Sequence, residues 1–199
     1  MQLSEPSPEE VLNFKYNFRP YRPEFAFWAG TEKQRLLAIL PANVEVHHFG
    51  STAVPGLSGK GIIDLMLIVP SEDPTMLVQE PTSLITVLES HGYHYRPHVR
   101  LDSRRWFLDR FEYLETGEIR GFHIHIVNEI AGRVPIEILF RDYLCHHPQQ
   151  RNQYEAAKQK AVAAAQLVFG KEAKKQAYIQ AKEPIIQSIL SKIAQEQKQ

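Results

Sequence analysis

Cysteine is almost absent: Cys145 stands alone in 199 residues, so no internal disulfide can form and no pair of thiols offers zinc-ligand spacing. A reducing, cytoplasmic setting is the expectation. An excess of either charge is missing too. Lysine plus arginine and aspartate plus glutamate each total 23, so no global field draws the chain to polyanions or anionic membranes, and general nucleic-acid binding is disfavoured. No apolar run approaches the roughly 20 residues that a membrane-spanning helix needs. Met1 to Glu10 carries Glu5, Glu9 and Glu10 with no basic residue, which is wrong for a signal peptide. Membrane insertion and export are not expected. Internal repeats and linkers are also lacking, and 43% hydrophobic content is enough for one core, so residues 1–199 read as a single domain.

What is present has a clear order. Pro6, Pro8, Pro20 and Pro23, with Tyr16, Phe18 and Tyr21 among them, predict an extended arm over residues 1–20 that packs on the body. Apolar spacing predicts a helix from Glu24 to Leu40, ending before Pro41. Val44 to Phe49 reads as a strand that empties into Gly50-Ser51-Thr52. Ile62 to Val69 is a nearly continuous apolar run stopped by Pro70, the pattern of a central strand buried on both faces, and Asp64 alone interrupts it.

Pro81 to His91 predicts a helix closed by Gly92. Strands are expected over Tyr93–Arg96, Arg104–Phe111 and Gly121–Val127, the last two joined by a hairpin at Glu115-Thr116-Gly117-Glu118. Alternation sends Phe122, Ile124 and Ile126 one way and His123 and His125 the other. After Pro135 the pattern is helical: one helix near Ile136–Leu144, a stop at Pro148, then an Ala/Lys/Gln-rich tail over 149–199 with breaks at Gly170 and Pro184 and fraying at 195–199. Lys158, Lys160, Lys171, Lys174, Lys175 and Lys182 alternate with Glu155, Glu172 and Glu183, which reads as a solvated helix face.

The stretch from His47 to Asp64 carries most of the chemistry. A strand ending in Gly50-Ser51-Thr52 lets backbone N–H groups and a hydroxyl approach a phosphate closely, because glycine has no side chain to keep the ligand away. Lys60 would reach such a phosphate as a point charge, and Asp64 would hold a divalent metal. The plainer reading is an ordinary turn, a solvated lysine and a strand-end acceptor. Against it, a charge inside a buried strand costs several kcal/mol unless it is paired, hydrogen-bonded or metal-bound, so Asp64 must have a partner.

His47-His48-Phe49-Gly50-Ser51-Thr52-Ala53-Val54-Pro55-Gly56-Leu57 followed by Lys60-Gly61-Ile62-Ile63-Asp64 resembles the signature of the GrpB family. The resemblance continues through His91-Gly92-Tyr93, Arg104-Arg105-Trp106-Phe107, His123-Ile124-His125, Leu139 to Pro148, Tyr154 to Lys158, and Tyr178 with Lys182. It implies an α/β (α+β) protein of nucleotidyltransferase-like fold: a mixed β-sheet flanked by helices, with a helical C-terminal extension. In that fold the resemblance implies two carboxylates on one strand, separated by one residue, and a third from the next strand, together holding paired Mg²⁺. Here the second position is Met66, a poor Mg²⁺ ligand, and the third falls among His123 and His125.

The resemblance therefore makes Asp64, Lys60 and Asp142 the candidate catalytic groups, with Asp142 standing in for a missing carboxylate. It makes Gly50, Ser51, Thr52, Lys60, Arg105 and Arg141 the phosphate or nucleotide contacts. Asp64 and His125, with His123 or His48 beside them, are the metal candidates, for Mg²⁺ or Mn²⁺ ahead of Zn²⁺. The implied ligand is a nucleotide or CoA-type molecule. The implied alternative is an inactive accessory domain for a partner such as a CoA-pathway kinase, since the family's domain is also found fused behind dephospho-CoA kinase.

Overall fold

In the computed structural model, which describes residues 4–15, 17–72, 79–99 and 104–197, the chain runs α1 (Pro8–Lys15), α2 (Glu24–Leu37), β1 (Glu45–Phe49), β2 (Ile62–Ser71), α3 (Thr82–Ser90), β3 (His94–Tyr95), β4 (Arg105–Tyr113), β5 (Ile119–Ile130), α4 (Ile136–His146), α5 (Pro148–Gln166) and α6 (Lys171–Glu196). The strands form one mixed sheet in the order β1-β2-β5-β4-β3. β2 and β5 run parallel, and the other neighbours are antiparallel. This mixed sheet with flanking helices and a helical C-terminal extension is the fold class that the sequence implied.

Period-two alternation divides the sheet into an apolar face and a polar one. Ile63, Leu65 and Leu67 of β2 join Phe122, Ile124 and Ile126 of β5 and Leu108 of β4 against Leu36 of α2 and Leu84 and Leu88 of α3. Burying a side chain of this size contributes roughly 1.5–3 kcal/mol, so this face holds most of the stability. The opposite face carries Phe49, Met66, Ile68 and Val127 against Ile138 of α4, and between them the polar residues of the site. A second apolar cluster, of Val54, Leu57, Tyr143, Leu144, Ile189 and Ile193, ties the Gly-Ser loop to α4 and α6.

Three expectations are corrected. The arm over 1–20 contains a helix: Ser7 Oγ lies 2.6 Å from Glu10 Oε2 and accepts from the Glu10 N–H at 3.4 Å, while the Ser7 N–H donates back to that carboxylate at 2.9 Å. This reciprocal cap, with Pro8 at the first helical position, starts α1, and Phe14 then packs edge-on against Phe111 at 6.1 Å. Residues 1–3 and Tyr16 of that arm, and 198–199 of the fraying tail, lie outside the described residues. Secondly, β2 runs through Pro70, because pairing with β1 ends at Glu45–Ile68 and a proline there removes no ladder bond on the remaining β5 side. Thirdly, Pro184 does not break the tail but sits inside α6.

A polar network closes the rim of the apolar face. Glu32, 4% exposed, accepts from the Tyr93 hydroxyl and from Arg110 Nη2 at 2.7 Å. Arg110 Nη1 donates to Glu112 at 2.8 Å, and Glu112 accepts from Arg120 Nε at 2.7 Å. Removing one member of a buried charge network strands the others, so Glu32→Ala should lower the unfolding free energy by about 3 kcal/mol. Urea denaturation checks this, and an unchanged midpoint would mean that the network does not stabilise the fold.

Candidate functional site

Parallel pairing of β2 and β5 puts Asp64 opposite His123 and Met66 opposite His125. β4 adds Phe107 opposite His125 and Asp109 opposite His123, and β1 adds Phe49 opposite Asp64. All these side chains share the polar face. His123 Nδ1 lies 3.1 Å from Asp64 Oδ1, and His125 Nε2 lies 3.8 Å from the same oxygen. Phe107 meets both imidazoles edge-on, with ring centroids at 4.9 and 5.0 Å, and Phe49 meets His125 at 5.0 Å. Burial by itself would push the Asp64 carboxyl up, but the hydrogen bond with His123 and the proximity of both imidazoles outweigh it and hold the group below the usual carboxylate range. Gly50, at φ 72°, is required here twice: its conformation favours glycine, and a Cβ would overlap the Asp64 carboxylate.

The Gly-Ser turn connects this group to a cluster of lysines. A Cβ at Gly59 would stand 2.6 Å from Lys158 Nζ and collide with Ser51 Oγ, so Ser51 and the Lys158 ammonium meet over that glycine. Lys158 of α5 is 3% exposed and donates to the Ser58 carbonyl at 2.9 Å. Lys60 and Lys182 lie against the same Tyr178 ring, 3.8 and 4.1 Å from its centroid. Burial drives all three ammoniums down, Lys60 to about 8, Lys158 to about 7 and Lys182 to about 8. Lys182 adds repulsion at Lys60 and Lys158, and the Asp64 carboxylate offsets part of the effect at each.

The other sequence candidates divide between this centre and its frame. Gly50 and Ser51 line a mostly apolar cavity of about 250 Å³ together with Leu57, Phe140, Arg141, Leu144, Tyr154 and Leu190. Thr52 is a framing residue: its hydroxyl donates to the Ile62 carbonyl at 3.1 Å and meets His48 Nε2 at 3.0 Å. His48 lies opposite Leu65, off the Asp64 face, and burial lowers it to about 4. Arg141 donates to the His48 carbonyl at 2.6 Å and to Asp142 at 2.7 Å. That pairing occupies Asp142, 49% exposed, whereas Asp64 is hydrogen-bonded to His123 and has His125 beside it. Arg105 faces the site but makes a two-point ion pair with Glu137, and its strand is interior to the sheet and not an edge. Met66 is fully buried.

Lys158 and Lys182 correct the reading of the tail as wholly solvated, which holds for Lys160 and Lys175. A signal for them exists in the sequence: Tyr154 precedes Lys158, and Tyr178 precedes Lys182, by four residues each. That spacing stacks a ring and an ammonium on one helix face.

Three lysines that lose their protons more readily in the fold than in the unfolded chain make stability depend on pH with a definite sign. Between about 7, the folded value of Lys158, and its ordinary 10.5, the unfolded chain binds more protons, so stability rises with pH across that window. Lys158→Met removes the buried charge and should stabilise the ligand-free protein at pH 7 by about 1–2 kcal/mol. Urea denaturation of both forms at pH 7 and pH 9.5 checks it: the gain should shrink at the higher pH, and a destabilised variant would refute a buried ammonium.

Known proteins resemble this chain in sequence and in fold. A family model described as GrpB protein matches residues 15–192. The UPF0157 protein YqkA of Bacillus subtilis (strain 168) is 28% identical over 144 residues, covering 72% of this chain and 38% of that relative, so the chain spans well under half of its length. Glutamate-rich protein GrpB of Alkalihalophilus pseudofirmus is 32% identical over 130 residues, covering 64% of this chain and 70% of that one. The crystal structure of conserved protein GrpB from Enterococcus faecalis superposes with a TM-score of 0.68 at 26% identity, over 92% of this chain and 100% of that one. With a family model spanning almost the whole described chain and a shared three-dimensional structure, this protein belongs to the GrpB family.

Proposed function

We propose that this protein binds a phosphorylated small molecule, a nucleotide or CoA-type ligand, with its phosphate chain on Ser51, Lys60, Lys158 and Lys182 and its apolar part in the cavity beside Phe140 and Tyr154. One observation carries the reading: the desolvated Lys158 ammonium meets the Ser51 hydroxyl over Gly59, and two further desolvated ammoniums, Lys60 and Lys182, share the Tyr178 ring and repel each other. Such a cluster opposes folding without an anion, and an anion of several charges relieves it. An inert interaction domain has no use for that arrangement, which favours the ligand reading over the accessory one. Nucleotidyl transfer is the reaction that a bound triphosphate would suit: the ammoniums would stabilise charge on the leaving pyrophosphate, and Asp64 is the carboxylate beside them.

The test is thermal unfolding with inorganic tripolyphosphate, ATP, CoA and dephospho-CoA, on the wild type, Ser51→Ala and Lys158→Met. A ligand present at 100 times its Kd raises stability by about 2.7 kcal/mol, and that gain should disappear in Lys158→Met. Binding needs the lysines charged, so the shift should be larger at pH 6.5 than at pH 9. A shift that is equal in wild type and Lys158→Met, or none with any of the four, sinks the reading.

A further inference from the structure

The paired Mg²⁺ site that the family resemblance implies does not fit these residues. Met66 occupies the position of the second carboxylate, is fully buried among Phe49, Ile68, Val127 and Ile138, and offers only a thioether, which is a poor ligand for a hard cation. The neighbouring strand contributes imidazoles instead of acids. We propose that Asp64, His123 and His125 form a mononuclear site for a divalent transition metal of the Zn²⁺ class, held by two nitrogens and one carboxylate oxygen.

Two observations support the assignment. One ligand atom from each residue lies within 4.8 Å of the other two. Asp64 Oδ1 stands 3.1 Å from His123 Nδ1 and 3.8 Å from His125 Nε2, which brackets the separation of about 3.4 Å between two ligands that each bind a tetrahedral ion at ~2.1 Å. The arrangement therefore needs little movement to close on an ion.

The donor chemistry then selects the ion. Imidazole nitrogen favours Zn²⁺, Fe²⁺ and Co²⁺, whereas Mg²⁺ demands oxygen ligands and near-octahedral geometry. Edge-on Phe49 and Phe107 wall the imidazoles, and an apolar surround limits access and strengthens the charge interaction within. Three protein donors leave coordination positions for water or a phosphate oxygen. The proposal stands apart from the phosphate reading, because it is tested with the metal alone.

The experiment is calorimetric titration of untagged, chelator-treated protein with Zn²⁺, Co²⁺, Mn²⁺ and Mg²⁺, together with the visible spectrum of the Co²⁺ form. One ion per chain is expected, with Zn²⁺ and Co²⁺ tighter than Mg²⁺ by about a hundredfold or more, and a Co²⁺ spectrum showing the d–d bands of nitrogen ligation. His123→Asn and His125→Asn, shown to be folded by circular dichroism, should each lose about tenfold or more in Zn²⁺ affinity. Mg²⁺ binding as tightly as Zn²⁺, two ions per chain, or Zn²⁺ affinity unchanged in both folded variants would overturn the assignment. Should either variant unfold, the wild-type Co²⁺ spectrum decides: no d–d bands at one equivalent excludes the site.

Discussion

A carboxylate on a strand that is otherwise apolar must be compensated within a few ångströms, and much of the polar face follows from how Asp64 meets that demand. Among the described residues it has no arginine or lysine ion pair. β5 lies parallel beside β2, so that its His123 and His125 flank the carboxylate. Gly50 gives up a side chain so that the turn after β1 can press against the same group. Phe49 and Phe107 then close the sides.

The sheet separates stability from chemistry by the simplest rule available to a strand. Odd and even positions of β2 face opposite ways, so Ile63, Leu65 and Leu67 anchor the core with α2 and α3 while Asp64 and Met66 look toward the C-terminal helices. The apolar face can carry the energetic burden of desolvated charge on the other. The buried lysines oppose folding, and two of them, Lys158 and Lys182, are brought to the site by helices α5 and α6, the second of which the Val54–Leu57 and Ile189–Ile193 cluster fastens to the Gly-Ser loop. Residues that look like ligands from their types alone are partly fasteners themselves. Thr52 stitches the turn to β2, Arg141 ties α4 to β1, and Arg105 holds Glu137.

Local pattern determined a large part of this protein. The central strand, the hairpin at Glu115–Glu118, the glycine closing α3 and the facing of His123 and His125 away from Phe122, Ile124 and Ile126 all follow from periodicity and turn chemistry, which act over a few residues. Asp64's need for a partner was equally legible, because desolvation of a charge is a property of the strand it sits in. α1 is legible too, in Ser7-Pro8-Glu9-Glu10, although the surrounding prolines by themselves point to an extended arm. Only the tertiary structure decided which groups meet Asp64 and the Gly-Ser turn. Lys158 is about a hundred residues from Ser51 along the chain, and its helix has the composition of a solvated one. Composition records how polar a residue is on average, whereas burial depends on which helix face the apolar cluster turns inward, and that is settled by packing across the whole domain.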